Sequence, residues 1–101
     1  MAARSILVTP EQLESAAAKI EGLAADYQSQ YNALYAKTDA MVSTWQGDDN
    51  VAFVNQINGF KDDLTKMYNL MNQYASFLRA SAKAYRTTQE QVVAQAKSLV
   101  N

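Results

Sequence analysis

The chain contains neither cysteine nor histidine. Without cysteine it can form no disulfide framework and no thiolate site, and such a chain is compatible with either redox compartment. Without histidine it lacks the commonest general base and the commonest metal ligand. Catalysis would have to rely on carboxylates alone, and no acidic pair faces a predicted pocket. We therefore expect a protein that is not an enzyme, with no catalytic, cofactor-binding or metal-binding residues.

Glycine and proline are also scarce, with three and one respectively among 101 residues. This scarcity argues against a β fold, because hairpin turns depend on such residues. The chain has no large excess of positive or negative charge, since 9 basic and 10 acidic residues give a net charge of −1. A nucleic-acid-binding protein needs a strongly basic face, so we expect no nucleic-acid partner.

Long apolar runs are absent too. The run Ile6–Val8 near the N-terminus is far shorter than the core of about 7–15 residues that a signal peptide requires. No run approaches the roughly 20 apolar residues that span a bilayer as a helix. We therefore expect a protein that is cytoplasmic at first and reaches the cell surface or the medium, if it does so, without a cleaved N-terminal signal.

What the sequence does have is helical periodicity, beginning with a strong helix start. Thr9 can be the N-cap, Pro10 the first helical residue, and Gln12 the partner that completes a capping box. The apolar positions then alternate in steps of four and three, which is the spacing of a helical seam. This first stripe consists of Leu13, Ala17, Ile20, Ala24, Tyr27, Tyr31, Leu34, Thr38, Met41 and Trp45.

A second stripe of the same kind follows Gly47, which interrupts the first. Asp48 or Asp49 can cap the second helix and suit the positive end of its dipole, which explains this acidic pair better than a metal site does. The second stripe consists of Phe53, Ile57, Phe60, Leu64, Met67, Met71, Tyr74, Leu78, Ser81, Tyr85, Thr88 and Val92. The sequence thus predicts one domain over 1–101, with helices at about 10–44 and 49–95, a turn at about 45–48 and flexible ends.

Two helices of this length cannot form a compact globule, so we expect a rod-shaped antiparallel hairpin. The first helix alone would be about 52 Å long at 1.5 Å per residue. Charge favours the same arrangement, because residues 79–101 carry a net charge of +3 and the remainder −4. With a turn near residue 47, Glu11 and Glu14 are expected beside Arg79 and Lys83. The second helix outlasts the first, so residues from about Tyr85 onward should overhang.

Apolar residues beside the two stripes indicate that one hairpin does not bury enough surface. At roughly 25 cal/mol per Å² of apolar area, a second hairpin would gain substantially by covering them. The fold class we predict is therefore all-α, an antiparallel helical hairpin that pairs into a four-helix-bundle dimer. The candidate dimer interface comprises Leu23, Tyr35, Val42, Tyr68, Leu70, Ala75 and Phe77. The partner is a second copy of the chain or a related one.

The triplet Trp45, Gln46 and Gly47 lies at the midpoint of the chain, between two helical stripes. In structural terms, Trp45 can close the end of the hairpin while Gly47 gives the turn its backbone freedom. With the length near one hundred residues and the two flanking helices, the triplet makes the chain resemble the WXG-100 (ESAT-like) family of the type VII secretion system of Gram-positive bacteria. The resemblance implies export as a folded dimer by a membrane ATPase, and a role as a secreted virulence or interbacterial factor or as an export partner.

Parts of this family carry a C-terminal export motif in which a tyrosine is followed four residues later by an acid. Here Gln89 occupies the fourth position after Tyr85, and the acid, Glu90, comes one residue later. These three residues are the candidate export signal, in an imperfect form. Packing along the stripe is the alternative interpretation of Tyr85.

Two other functions remain open on the sequence alone. The hairpin can open and lay an amphipathic face on a membrane as a pore-forming effector, although its polar faces are of mixed sign. Alternatively, it can serve inside the cell as an adaptor or chaperone for a larger type VII toxin with a similar N-terminal hairpin.

Overall fold

The fold consists of two long antiparallel helices. A computed structural model describes residues 8–45 and 47–100. Helix α1 runs from Pro10 to Val42 and helix α2 from Asp48 to Val100, so α1 ends two residues before the predicted boundary and α2 continues five residues beyond it. The molecule measures 82 × 27 × 15 Å with a radius of gyration of 23.0 Å. A compact chain of this length would have a radius of about 13 Å, so the predicted rod-shaped helical hairpin is confirmed.

Helix α1 begins with the capping box that the sequence predicts. The Thr9 hydroxyl accepts a hydrogen bond from the Gln12 backbone N–H at 3.1 Å, and the Gln12 side chain accepts one from the Thr9 N–H at 2.9 Å. Pro10 occupies the first helical position. A backbone N–H at that position would have no acceptor within the helix, so proline, which lacks this group, costs no hydrogen bond there. Two of the unpaired donors at this helix end are thereby satisfied.

The two helices meet along a narrow seam in which small residues permit close approach. Ala17 and Ala24 of α1 and Ala75 and Ala82 of α2 are completely buried. Leu78 packs with Ala17 and Ala75 in the core cluster, which is flanked by partly buried apolar side chains of α1. Because alanine leaves so little volume between the helix axes, a larger side chain at these positions has no space to occupy.

Aromatic residues fill the middle of the seam. Tyr31 stacks edge-on against Tyr27 and Tyr68 and lies 5.3 Å from Tyr35, measured between ring centroids. The ammonium group of Lys61 lies 5.0 Å from the centroid of the Tyr35 ring, which is a cation–π geometry. Burial of the Tyr35 hydroxyl raises the pKa of this phenol, with smaller contributions from Tyr31 and Tyr27. These contacts fix the register of the two helices.

The phase of the α2 stripe differs from our prediction. Ile57, Leu64, Met71 and Leu78 do face α1, and these four belong to the predicted stripe. The other half of the inner seam is formed by Lys61, Tyr68, Ala75 and Ala82, whereas the predicted Phe60, Met67 and Tyr74 are exposed. In this helix the row formed by Ile57, Leu64, Met71 and Leu78 has apolar residues on both of its sides. The spacing alone therefore does not show which side completes the inner seam. Helix α1 shows the same shift after Tyr31, where Tyr35 and Val42 replace Leu34 and Met41.

Ion pairs join the acidic start of α1 to the basic part of α2, as the charge distribution predicts, but the partners differ. Arg86 pairs with both Glu11 and Glu14, and Arg79 pairs with Glu21 at 2.6 Å. The sequence predicts Arg79 and Lys83 beside the first two carboxylates. Arg79 lies instead beside Glu21, which is about two helical turns beyond Glu14 in α1.

Candidate functional site

The hairpin has one polar face and one apolar face. The ion pairs Glu21–Arg79 and Glu14–Arg86 lie on the polar face. On the other side, exposed large apolar side chains recur along both helices. They comprise Leu23, Leu34, Met41, Phe60, Met67, Leu70, Tyr74 and Phe77. Monomeric soluble proteins rarely leave an apolar surface of such extent in water, so this apolar face is a candidate interaction surface.

Contacts across the two helices show that these residues share one side of the rod. Leu23 of α1 and Met67 and Leu70 of α2 line a single open groove that is almost entirely apolar. Leu34 of α1 lines the next groove together with Leu64 of α2. The apolar face therefore extends over the middle of the two-helix part of the molecule, and neither helix presents it alone.

The seven candidate interface residues fall into two groups. Leu23, Leu70 and Phe77 are 59%, 56% and 63% exposed and lie on the apolar face. Ala75 is completely buried inside the hairpin, where no second subunit can reach it. The remaining three face the neighbouring helix of the same hairpin and are half-buried there: Tyr35, Val42 and Tyr68. The structure thus leaves the first group available to a partner.

The turn between the helices is the second candidate site. Gly47 has a φ angle of +92°, in the left-handed region that side chains disfavour, so this position requires glycine. Asp48 and Asp49 form the first turn of α2 and suit its dipole there, instead of capping the helix from outside. Gln46, the central residue of the triplet, lies outside the described residues. Trp45 is 38% exposed and packs against Phe53, with ring centroids 4.9 Å apart.

One residue of this turn was not identified from the sequence. The side-chain amide of Asn50 donates hydrogen bonds to the carbonyl oxygens of Val42 at 2.8 Å and Trp45 at 2.9 Å. Its backbone N–H donates to the Gly47 carbonyl at 3.2 Å. The signal that would have identified it is its position, three residues after the glycine of a turn and one helical turn before the aromatic residue that packs on Trp45.

The third candidate site is the part of α2 that extends beyond α1. Arg86 makes the outermost of the ion pairs that join the described parts of the two helices, and residues 87–99 are all exposed. The overhang predicted from the sequence is therefore present. A groove on it is lined by Tyr85, Gln89 and Val92, among others.

The candidate export signal lies beside the start of α1, where the overhang of α2 begins. Tyr85 is 41% exposed, and Gln89 lies one helical turn further along the same face. Glu90 lies further around the helix, in a second groove that it shares with Arg86, Gln89 and Lys97. The structure brings Tyr85 and Gln89 together and places the acid beside them and not in line with them, because residues four apart share a helix face and those five apart do not.

Among the described residues, neither helix contains a segment long and apolar enough to cross a membrane. In the same part of the chain, acidic side chains do not gather into a group of three or more that could hold a metal ion.

Comparison with known proteins gives a family match over most of the chain. Residues 5–90 match the model of the WXG100 family, described as proteins of 100 residues with WXG. Searching the curated proteins returns no match.

Solved structures provide the second comparison. The secreted protein EsxB from Bacillus anthracis strain Sterne has a TM-score of 0.75 and 25% identity, covering 84% of this chain and 97% of its own. A single-residue variant of that protein gives 26% identity, coverage of 84% and 94%, and the same TM-score. EsxA from Geobacillus thermodenitrificans has a TM-score of 0.75 over 88% of this chain and 97% of its own, and at 24% identity it supports the fold alone.

Proposed function

Because this chain belongs to the WXG100 family, we propose that it is a small non-enzymatic substrate of a type VII secretion system, exported as a folded dimer. The similar EsxB is described as a secreted protein, which supports the proposal that the present chain is exported as well. Outside the producing cell, the protein acts as a virulence or interbacterial factor, or it accompanies another exported protein. The secretion ATPase is its partner during export.

The single observation that carries this proposal is the unpaired apolar face. The chain exposes 7717 Å² of surface, whereas a compact protein of 11.2 kDa exposes roughly 5,700 Å². Any rod-shaped protein has more surface than a compact one, which explains part of the excess of about 2,000 Å². The rod shape does not explain why leucine and aromatic side chains are exposed on one face. Specific protein interfaces bury about 800 Å² per partner, so a second hairpin fits within this excess. Two such hairpins make a four-helix bundle.

When two hairpins pair through their apolar faces, both ends of each rod stay accessible to the export machinery. The Trp45 turn lies at one end and the overhang with Tyr85 at the other. In a dimer with antiparallel subunits, the turn of one subunit approaches the overhang of its partner. We propose that the export machinery binds this combined surface, which exists only in a folded dimer.

Export is tested by secretion from the bacterium that encodes the chain. Deleting the ATPase of its type VII system should remove the protein from the culture medium while the intracellular level is maintained or rises. A protein exported by the general secretory route serves as the control and should be unaffected. Undiminished secretion of this protein in the deletion strain would refute the proposal.

An adaptor role is the second candidate, and the apolar face favours it as well. A larger toxin with a similar N-terminal hairpin can cover that face in place of a second copy, since the exposed leucines and aromatics are not specific to one partner. Co-purification of the tagged chain with the product of a neighbouring gene, in a one-to-one complex, would support this role. A stable homodimer that does not exchange with the neighbouring product would exclude it.

A further inference from the structure

Asn50 is the residue that connects the end of α1 to the start of α2. The last carbonyl groups of a helix have no intrahelical partner and must be satisfied by other donors. Here the Val42 carbonyl accepts from the Trp45 N–H at 2.9 Å and from the Asn50 side chain at 2.8 Å. The same amide nitrogen donates to the Trp45 carbonyl at 2.9 Å. Both hydrogens of one amide group are therefore used on two carbonyls, three residues apart.

This geometry depends on the chemistry of asparagine. Its amide supplies two donors from one nitrogen, whereas alanine supplies none and aspartate offers only acceptors that the carbonyl dipoles repel. Helix propensity does not explain the residue either, because asparagine is a poorer helix former than alanine, and Asn50 lies in the first turn of α2. The side chain is half-buried, so its hydrogen bonds are partly shielded from competing water.

The hydrogen bonds of Asn50 act directly on the position of Trp45. One bond holds the carbonyl group of Trp45 itself, and the Asn50 backbone N–H closes the turn onto Gly47. One helical turn after Asn50, Phe53 packs against the indole ring. The backbone of Trp45 is thus fixed by Asn50 and its ring is supported by Phe53, while 38% of the residue stays exposed.

We propose that Asn50 is the positioning residue of the tryptophan turn and sets the direction in which Trp45 is presented to the export machinery. This inference rests on the proposed function, because it requires that the turn be recognised during export. The recognition element is then larger than the triplet: Trp45 and Gly47, which the sequence identifies, act together with Asn50 and Phe53, which only the fold brings to them.

The test uses Trp45 as a spectroscopic probe, because it is the only tryptophan in the chain. Asn50→Ala removes both side-chain hydrogen bonds, and Asn50→Asp keeps the size while abolishing the donors. The exposed Asn55, on the same helix, provides the matched control Asn55→Ala. Circular dichroism and light scattering first establish that each variant remains helical and has the oligomeric state of the wild type.

We expect both Asn50 variants to shift the fluorescence of Trp45 to longer wavelength. We also expect the quenching constant for acrylamide to rise at least about twofold, since two lost hydrogen bonds change the population of the closed turn by roughly tenfold. Asn55→Ala should match the wild type. Emission and quenching unchanged in both Asn50 variants would overturn the positioning role.

Secretion measured on the same variants separates this inference from the proposed function. Both Asn50 variants should fall at least about fivefold in the medium at equal intracellular level, and Asn55→Ala should not. If the fluorescence changes and secretion does not, the role of Asn50 in recognition is overturned and the proposed function stands. If the wild-type protein is secreted regardless of the ATPase, the proposed function fails, and with it the role of Asn50 in export.

Discussion

Replacing Leu70 by aspartate should dissociate the proposed dimer without unfolding the hairpin. Leu70 is 56% exposed and lines the central groove of the apolar face together with Leu23 and Met67. It is not part of the buried apolar core of the hairpin, which consists of four alanines, Tyr31 and Leu78. An aspartate at this position therefore faces water in the monomer and is buried without a partner only if a second subunit covers the apolar face.

The magnitude follows from the exposed area. Complete burial of a leucine side chain stabilises by about 1.5–3 kcal/mol, so covering the exposed half of Leu70 contributes about 1–1.5 kcal/mol per subunit. A twofold dimer contains this site twice, which gives about 2–3 kcal/mol, or roughly a 30- to 140-fold change in Kd. Burying the new carboxylate adds to this loss, so the lower figure is a minimum.

The assay is light scattering across a concentration series, with circular dichroism to follow folding. The matched control is Asn69→Asp, which introduces the same charge at the neighbouring exposed position, about 100° around the helix. Leu70→Asp should be largely monomeric at concentrations where the wild type and Asn69→Asp are dimeric. Equal Kd values for the two variants would refute the apolar face as the dimer interface, and a monomeric wild type would refute the dimer itself.

Three further predictions concern the hairpin. Thr9→Ala removes the capping box and should lower the unfolding free energy by about 1 kcal/mol, seen as a fall in Tm of roughly 4–8 °C; an unchanged Tm would mean that the cap contributes nothing. Ala75→Leu places bulk in the tightest part of the seam and should cost about 1–3 kcal/mol in denaturant unfolding, whereas the same change at exposed Ala80 should cost little. The hydrogen bonds from Arg79 hold the pKa of Glu21 below its ordinary value of 4.5, so this pair stabilises the fold above that value and loses its effect as the pH falls through the lower folded pKa. Arg79→Gln should therefore lower Tm at pH 7 and leave it nearly unchanged at about pH 2, and equal losses at both values would contradict this sign.

Local signals in the sequence predict much of the fold. The helix start at Thr9, Pro10 and Gln12 depends only on residues three apart, and it is confirmed atom by atom. Gly47 marks the turn because no other residue adopts its backbone conformation easily. The resemblance to the WXG-100 family is confirmed by the family match over residues 5–90. Each of these signals is set by near neighbours in the chain and needs no knowledge of packing.

The faces of α2 could not be predicted in the same way. Phe60 and Lys61 are neighbours in sequence, and residue type favours Phe60 for the inner seam because it is the apolar one of the two. In the structure Lys61 lies over the Tyr35 ring and Phe60 is exposed. Which residues of α2 face α1 depends on contacts between the helices. Small alanines in the seam allow the helix axes to approach closely, and large side chains there would keep them apart. Ala75 shows the same limit, because the sequence predicts it at the dimer interface and the structure buries it completely between the two helices.

The turn illustrates a second limit. Asn50 carries a polar side chain near the start of a helix, which is common and gives no warning of a role. Its importance comes from the carbonyls of Val42, at the end of α1, and of Trp45, in the turn, eight and five residues earlier in the chain. Such a contact exists only once the chain has folded back on itself, so the pattern of residue types does not reveal it.

The most direct test of this account is the mass of the protein recovered from the culture medium under non-denaturing conditions. We expect a folded helical species of twice 11.2 kDa, present in the medium of the wild-type strain and missing when the type VII ATPase is deleted. A secreted monomer, or a dimer whose secretion does not depend on that ATPase, would contradict it.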